Sequence, residues 1–127
     1  MNDSHPGVIE SVILNSYIDG IHCQQSKELA LKGFHRDFDM IVLKDNHIEK
    51  VNIDKWLDRI QIMKKESSDL WQSATSCKFS LLDCTHNAAA VKVDVFKGLT
   101  HFSTDYMLLY KLEEGWRIVS KIYSVPE

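Results

Sequence analysis

From Thr104 to Tyr123 the chain reads TDYMLLYKLEEGWRIVSKIY, two runs of aromatic and branched residues around Glu113-Glu114-Gly115. Such runs suit the pleated, half-buried surface of a strand, and glycine supplies the backbone conformation a tight reversal needs. The stretch predicts two long antiparallel strands. With a three-residue loop, Leu112 faces Trp116, and Tyr110/Ile118, Leu108/Ser120 and Tyr106/Ile122 follow along one almost wholly apolar face. That face reads as core. The other face pairs Lys111/Arg117, Leu109/Val119, Met107/Lys121 and Asp105/Tyr123, with Lys121 diagonal to Asp105. An acid, a base and a phenol therefore meet far from the turn, and function is expected there.

The remainder of the chain supplies what covers this hairpin. Val8, Ile9, Val12, Ile13 and Tyr17 recur at helical spacing from Gly7 to about Asp19, with Gly20 expected to end the helix. A shorter helix is expected from Ser26 to Gly33, then a turn over Phe34–Phe38 and a strand from Asp39 to Leu43. Lys44–His47 breaks that strand, and Ile48–Val51 returns as a hairpin arm. A third helix, about Ile53 to Lys65, presents Trp56, Leu57, Ile60 and Met63 or Lys64 on one face, with Asn52 or Asp54 as its cap. After a loop at Ser67-Ser68-Asp69 the chain reads as four strands: Leu70–Asp83, Ala88–Phe96, His101–Leu112 and Trp116–Val125. Three helices followed by an antiparallel meander predict an α+β domain over residues 1–127, its helices packed on one face of a curved sheet. Curvature leaves a cone, with an apolar cavity between helices and sheet.

Composition narrows the function classes. A formal net charge of −3 offers no basic footprint for nucleic acid. No apolar run approaches the ~20 residues of a membrane span, and MNDSHPGVIE does not read as a signal peptide. Cys23, Cys77 and Cys84 lack paired spacing and read as small buried apolar residues in a reducing cytoplasm. His22, His47, His86 and His101 are spread through expected turns without ligand spacing, so neither a metal nor another cofactor is expected.

The order of elements, with YIDGIH at Tyr17–His22, GFHRDF at Gly33–Phe38, IDKWLDRI at Ile53–Ile60, AAAVKVDVFKG at Ala88–Gly98 and IVSKIY at Ile118–Tyr123, resembles the nuclear transport factor 2-like superfamily. The nearer match is its bacterial lumazine-binding-like group. The resemblance spans nearly the whole chain and implies the cone fold and a homodimer formed through the outer sheet face. It does not fix an activity, because this fold carries isomerases, dehydratases, cyclases, binding modules and interaction domains.

Candidate residues follow from both lines of reading. In ketosteroid isomerase-like relatives a carboxylate base works with a tyrosine; Tyr17 matches the tyrosine, but the base position falls near Val42, where Met40-Ile41-Val42-Leu43 holds no carboxylate. Scytalone dehydratase-like relatives suggest His35, Asp37 and Asp105 instead, with His35 the candidate base. Catalytic candidates are thus His35, Asp105 and Tyr17. A ligand pocket is expected from Tyr17, His35, Trp56, Ile60, Asp105, Met107, Lys121 and Tyr123. Asp105 and Lys121 either orient a polar ligand or simply neutralise each other. Trp71 and Trp116, read on strands, are candidates for the dimer face. The leading expectation is a small-molecule-binding protein; the alternatives are an isomerase, dehydratase or cyclase, and a pure dimerisation module.

Overall fold

The computed structural model describes residues 5–126. The apolar spacing after Gly7 forms α1, His5–Ile13, but the helix does not end at Gly20. It continues over Leu14–Cys23 in wider π-helical turns, closed by bonds such as Gln24 N–H to the Asp19 carbonyl at 2.9 Å. Gly20 serves packing rather than termination. A Cβ there would lie 3.2 Å from both the Ala30 nitrogen and Leu29 Cβ, so its absence lets α2, Lys27–Ala30, cross closely. Ser26 caps α2 by accepting from the Leu29 N–H.

The expected turn over residues 34–38 is already strand. β1 runs Phe34–Lys44 and carries an irregularity against its neighbour between Phe34 and Asp39, which keeps Phe34, Phe38, Met40 and Val42 all facing inward. Asp45 and Asn46, at φ 51° and 65°, reverse the chain into β2, His47–Val51. α3, Ile53–Glu66, begins as expected with Asn52 Oδ1 accepting from the Lys55 N–H at 2.9 Å, and buries Ile53, Trp56 and Ile60. Beyond it a further short helix, α4, Ser68–Gln72, occupies what the sequence suggested was loop and strand. Trp71 is therefore helical. β3, Thr75–Thr85, β4, Ala88–Lys97, β5, Thr100–Leu112, and β6, Gly115–Ser124, complete the meander.

The six strands lie in the order β2-β1-β6-β5-β4-β3, antiparallel except where β1 meets β6 in parallel. Helices cover one face, which holds the core.

The β5–β6 hairpin differs from expectation near its turn. Only Glu113 and Glu114 form the loop, so Leu112 pairs with Gly115, Lys111 with Trp116, Tyr110 with Arg117 and Leu109 with Ile118. A bulge at Val119 then absorbs one residue, and the expected pairs Leu108/Ser120, Met107/Lys121, Tyr106/Ile122 and Asp105/Tyr123 are restored. The face expected as core also changes meaning. Tyr106, Leu108, Tyr110 and Ile122, expected as core, are 44–52% exposed on the outer surface. Asp105, Met107, Leu109, Ile118 and Lys121 are buried. Helices cover only one side of the sheet, and the side carrying the acid–base pair is the one they cover.

Candidate functional site

Between the helices and the sheet lies a cavity of about 420 Å³, within the range of small-molecule sites. Tyr17 and His22 line it from the π-helical segment, Met40 from β1, Trp56 and Ile60 from α3, and Trp71 from α4. Phe102 and Ser103 on β5, and Lys121 and Tyr123 on β6, form the sheet wall. Arg59 and His101, also in the lining, are held by acids: Glu49 at 2.6 Å from Arg59 Nη2 and Asp94 at 3.4 Å from His101 Nε2. A wider depression along α1, lined by residues such as Gly7, Val12 and Lys32, brings together no comparable set of polar groups.

At the centre of the cavity wall is a buried triad, in which Tyr17 is hydrogen-bonded to Asp105 and Lys121 is ion-paired with it. Met107 and Asp105 alternate inward on β5, and the restored register sets Lys121 across from Met107. The Tyr17 hydroxyl donates to Asp105 Oδ2, and Lys121 Nζ lies 3.7 Å from Asp105 Oδ1. The Lys121 ammonium also sits 4.6 Å from the ring centroids of Trp56 and Tyr123 and 5.2 Å from that of Tyr17. Burial lowers the Lys121 pKa from its ordinary value, while the Asp105 carboxylate opposes that shift. Burial, reinforced by the same carboxylate, raises the Tyr17 phenol well above its usual range, so Tyr17 stays a neutral donor. The aromatic packing that fixes these groups is continuous: Trp56 lies 5.6 Å from Tyr17 and from Phe34, and stacks on Phe38 at 5.8 Å.

Beside the triad is a second group that sequence reasoning missed. His22, expected in a turn, is buried on the π-helical segment, and its ring stacks on Trp71 at 5.5 Å and meets Phe102 edge-on at 5.7 Å. Burial first, then Lys97 and Lys121, hold His22 well below the ordinary imidazole pKa, so it is neutral at pH 7. Lys97 ends the inward row Val91, Val93, Val95 of β4. Its Nζ lies 3.7 Å from the Trp71 ring centroid and 2.9 Å from Thr75 Oγ1, and burial brings its pKa down to about 8. His22 Nδ1 and Nε2, Trp71 Nε1, Ser103 Oγ and Asp105 Oδ1 have no hydrogen-bond partner among the described residues. A buried polar group left without any partner costs about 1–3 kcal/mol, so three such residues, His22, Trp71 and Ser103, lining one cavity mark a site organised around something other than its own stability.

Of the residues singled out in the sequence, Tyr17, Trp56, Ile60, Lys121 and Tyr123 line the cavity, and Asp105 and Met107 are buried in the wall beside Tyr17 and Lys121. His35 is not among them. On β1 it alternates away from Phe34, and its Nδ1 accepts from the Asp37 N–H at 3.1 Å, with the Asp37 carboxylate 3.8 Å away and largely exposed. Val42 faces inward as the isomerase comparison requires, yet it supplies only an aliphatic side chain. Trp116 is core, not outer face, and Cys23 is exposed where a buried cysteine was expected.

Residues 5–124 match the family model described as "Putative lumazine-binding", and the chain belongs to that family. A search of the curated proteins returned no match. Among solved structures, a nuclear transport factor 2-like protein of unknown function from Shewanella baltica OS155 superposes with a TM-score of 0.73 at 19% identity, covering 100% of this chain and 98% of that one. Another, from Silicibacter pomeroyi DSS-3, gives 0.76 at 14% identity with 99% of each chain covered. A domain of unknown function with a cystatin-like fold from Nostoc punctiforme PCC 73102 gives 0.67 at 14% identity, covering 100% of this chain and 80% of that chain. These likenesses establish the nuclear transport factor 2-like fold of this chain, an α+β architecture in which helices pack on a curved sheet.

Proposed function

We propose that this member of the lumazine-binding-like family holds a small, planar organic molecule in the cavity between its helices and its sheet. The observation that carries the reading is the position of Lys121, a buried cation ringed by Trp56, Tyr17 and Tyr123 in the wall of a cavity that its own side chains do not fill. Aromatic faces supply contact area to a flat ligand, and the Tyr17–Asp105–Lys121 triad supplies fixed polarity at one edge. A pure dimerisation module would have no use for such a cavity.

Catalysis ranks second. The expected base, His35, is engaged with Asp37 outside the cavity, and the imidazole that does line it, His22, is made poorly basic by burial. The stripe Tyr106, Leu108, Tyr110 and Ile122 on the outer sheet face supports the homodimer that the family resemblance implies. Three free cysteines are compatible with a reducing cytoplasm, and no helix among the described residues is long and apolar enough to cross a membrane.

Lumazine, named in the family's description, is the first probe, followed by a panel of mono- and bicyclic aromatic compounds. With Trp56 and Trp71 in the wall, binding is expected to change tryptophan fluorescence and to raise Tm in a saturable way. Lys121→Met is expected to weaken binding at least about tenfold. Failure of every panel member to change either signal at millimolar concentration defeats the reading.

A further inference from the structure

We propose that the His22 end of the cavity takes a carboxylate, carried on a planar aromatic ligand; the inference rests on the ligand-binding reading above. The first support is a hydrogen-bond inventory. His22, Trp71 and Ser103 line the cavity, and their side-chain polar atoms have no partner among the described residues. An indole N–H can only donate, whereas a serine hydroxyl and a neutral imidazole each donate once and also accept. A ligand acceptor here would take the donor-only Trp71 N–H together with the N–H of His22 and the hydroxyl of Ser103.

The second support is charge. Lys97 and Lys121 both act on His22, yet the adjacent buried wall holds a single carboxylate, Asp105, and Tyr17 already donates to one of its oxygens. Lys97 rests on the Thr75 hydroxyl and on the faces of Trp71 and Phe102, with no carboxylate against it among the described residues. The other acids near the lining, Glu49 and Asp94, are committed to Arg59 and His101. Among the described residues the region therefore carries one cation more than it has anions; Lys97 is not itself in the cavity lining but stands over the Trp71 and Phe102 rings that are. A neutral carbonyl would satisfy the donors but not this charge, whereas a phosphate would bring more negative charge than one surplus lysine balances. A carboxylate meets both needs, and the Trp56, Tyr17 and Tyr123 rings in the same lining supply aromatic surface for the ligand's body.

The test compares 2-naphthoate with 2-naphthamide, equal in ring and nearly equal in shape, by calorimetry at pH 7. Naphthoate is expected to bind at least about tenfold more tightly than the amide. Lys97→Met is expected to remove most of that preference while changing amide affinity less than about twofold, with Lys97→Gln as the second variant if the first misfolds. On the wild-type protein, the Trp71 indole proton, assigned by Trp71→Phe, is expected to shift downfield in the NMR spectrum with naphthoate only. Equal affinities overturn the carboxylate inference and leave the ligand-binding reading intact. Tighter naphthoate binding with an unmoved Trp71 proton also overturns it, since the anion then binds elsewhere. If neither compound binds while lumazine or another uncharged aromatic does, the inference alone falls; if nothing binds, both fall.

Discussion

Asp105→Asn puts the buried triad to a quantitative trial. In the wild type, Lys121 Nζ stands 3.7 Å from Asp105 Oδ1 with both side chains buried. At an effective dielectric of about 20, charges at that separation attract by about 4–5 kcal/mol. The substitution keeps the size and one acceptor for Tyr17 but removes the negative charge. Lys121 then either stays charged without its partner or gives up its proton at pH 7; from an ordinary value of 10.5 that release costs about 5 kcal/mol, which caps the loss. The expected destabilisation is about 3–5 kcal/mol, a fall in Tm of roughly 15 °C for a chain of this length. Lys121→Met is expected to cost less, about 2 kcal/mol, because Tyr17 still donates to the carboxylate. The double variant removes both charges and is expected within about 1 kcal/mol of wild type. Urea denaturation of all four proteins, with m-values compared, supplies the cycle. Additive single effects, or an Asp105→Asn loss under about 1 kcal/mol, would show that the pair is not a dry ion pair, and the charge argument for the site would go with it.

Three other outcomes follow from separate parts of the structure. Burial lowers the His22 pKa below its unfolded value of about 6.5, so below that pH the unfolded chain binds more protons and stability falls as pH falls, by up to about 1.4 kcal/mol per unit; His22→Phe removes this component and leaves the profile above pH 6.5 unchanged, as stability measured against pH will show. Gly33→Ala places a Cβ 2.2 Å from Ser16 Oγ and 2.4 Å from Ser16 Cβ, and is expected to cost about 1–3 kcal/mol by thermal denaturation. Leu108→Glu, on the outer sheet face, is expected to shift light-scattering mass from a dimer toward 14.7 kDa without altering circular dichroism, and a wild type already at that mass contradicts the dimer.

The hairpin shows what the sequence could and could not convey. Its strands, its reversal and the meeting of Asp105, Lys121 and Tyr123 were legible, because strand propensity and period-two alternation are local properties. Which face is covered was not local. Tyr106, Leu108, Tyr110 and Ile122 form the more apolar row, yet helices cover the row containing two charges. Hydrophobicity alone chose the wrong side, because the inner charges neutralise one another and the outer apolar row remains exposed in a single chain. The far register was right through two compensating differences, a shorter turn and a bulge at Val119, neither signalled by composition.

The loss of His22 from the sequence reading has a different cause, and it bears on function. At 3.6 residues per turn, positions 17 and 22 lie well apart around a helix, so a reader following that period places Tyr17 inward and ends the helix at Gly20. Closure from i to i+5 changes the geometry. Over Leu14–Cys23 it brings residues five apart onto one side, and Tyr17 and His22 meet with ring centroids 4.8 Å apart. The wider turn therefore joins the Tyr17–Asp105–Lys121 triad to the His22–Trp71–Lys97 group, which an uninterrupted α-helix would have kept on separate faces. π-Helical turns persist where a site depends on them, since their bonding is less favourable than the α-helix they replace. The unpartnered atoms of His22, Trp71 and Ser103 lie beside this same segment, so backbone geometry and hydrogen-bond inventory point independently to one end of one cavity.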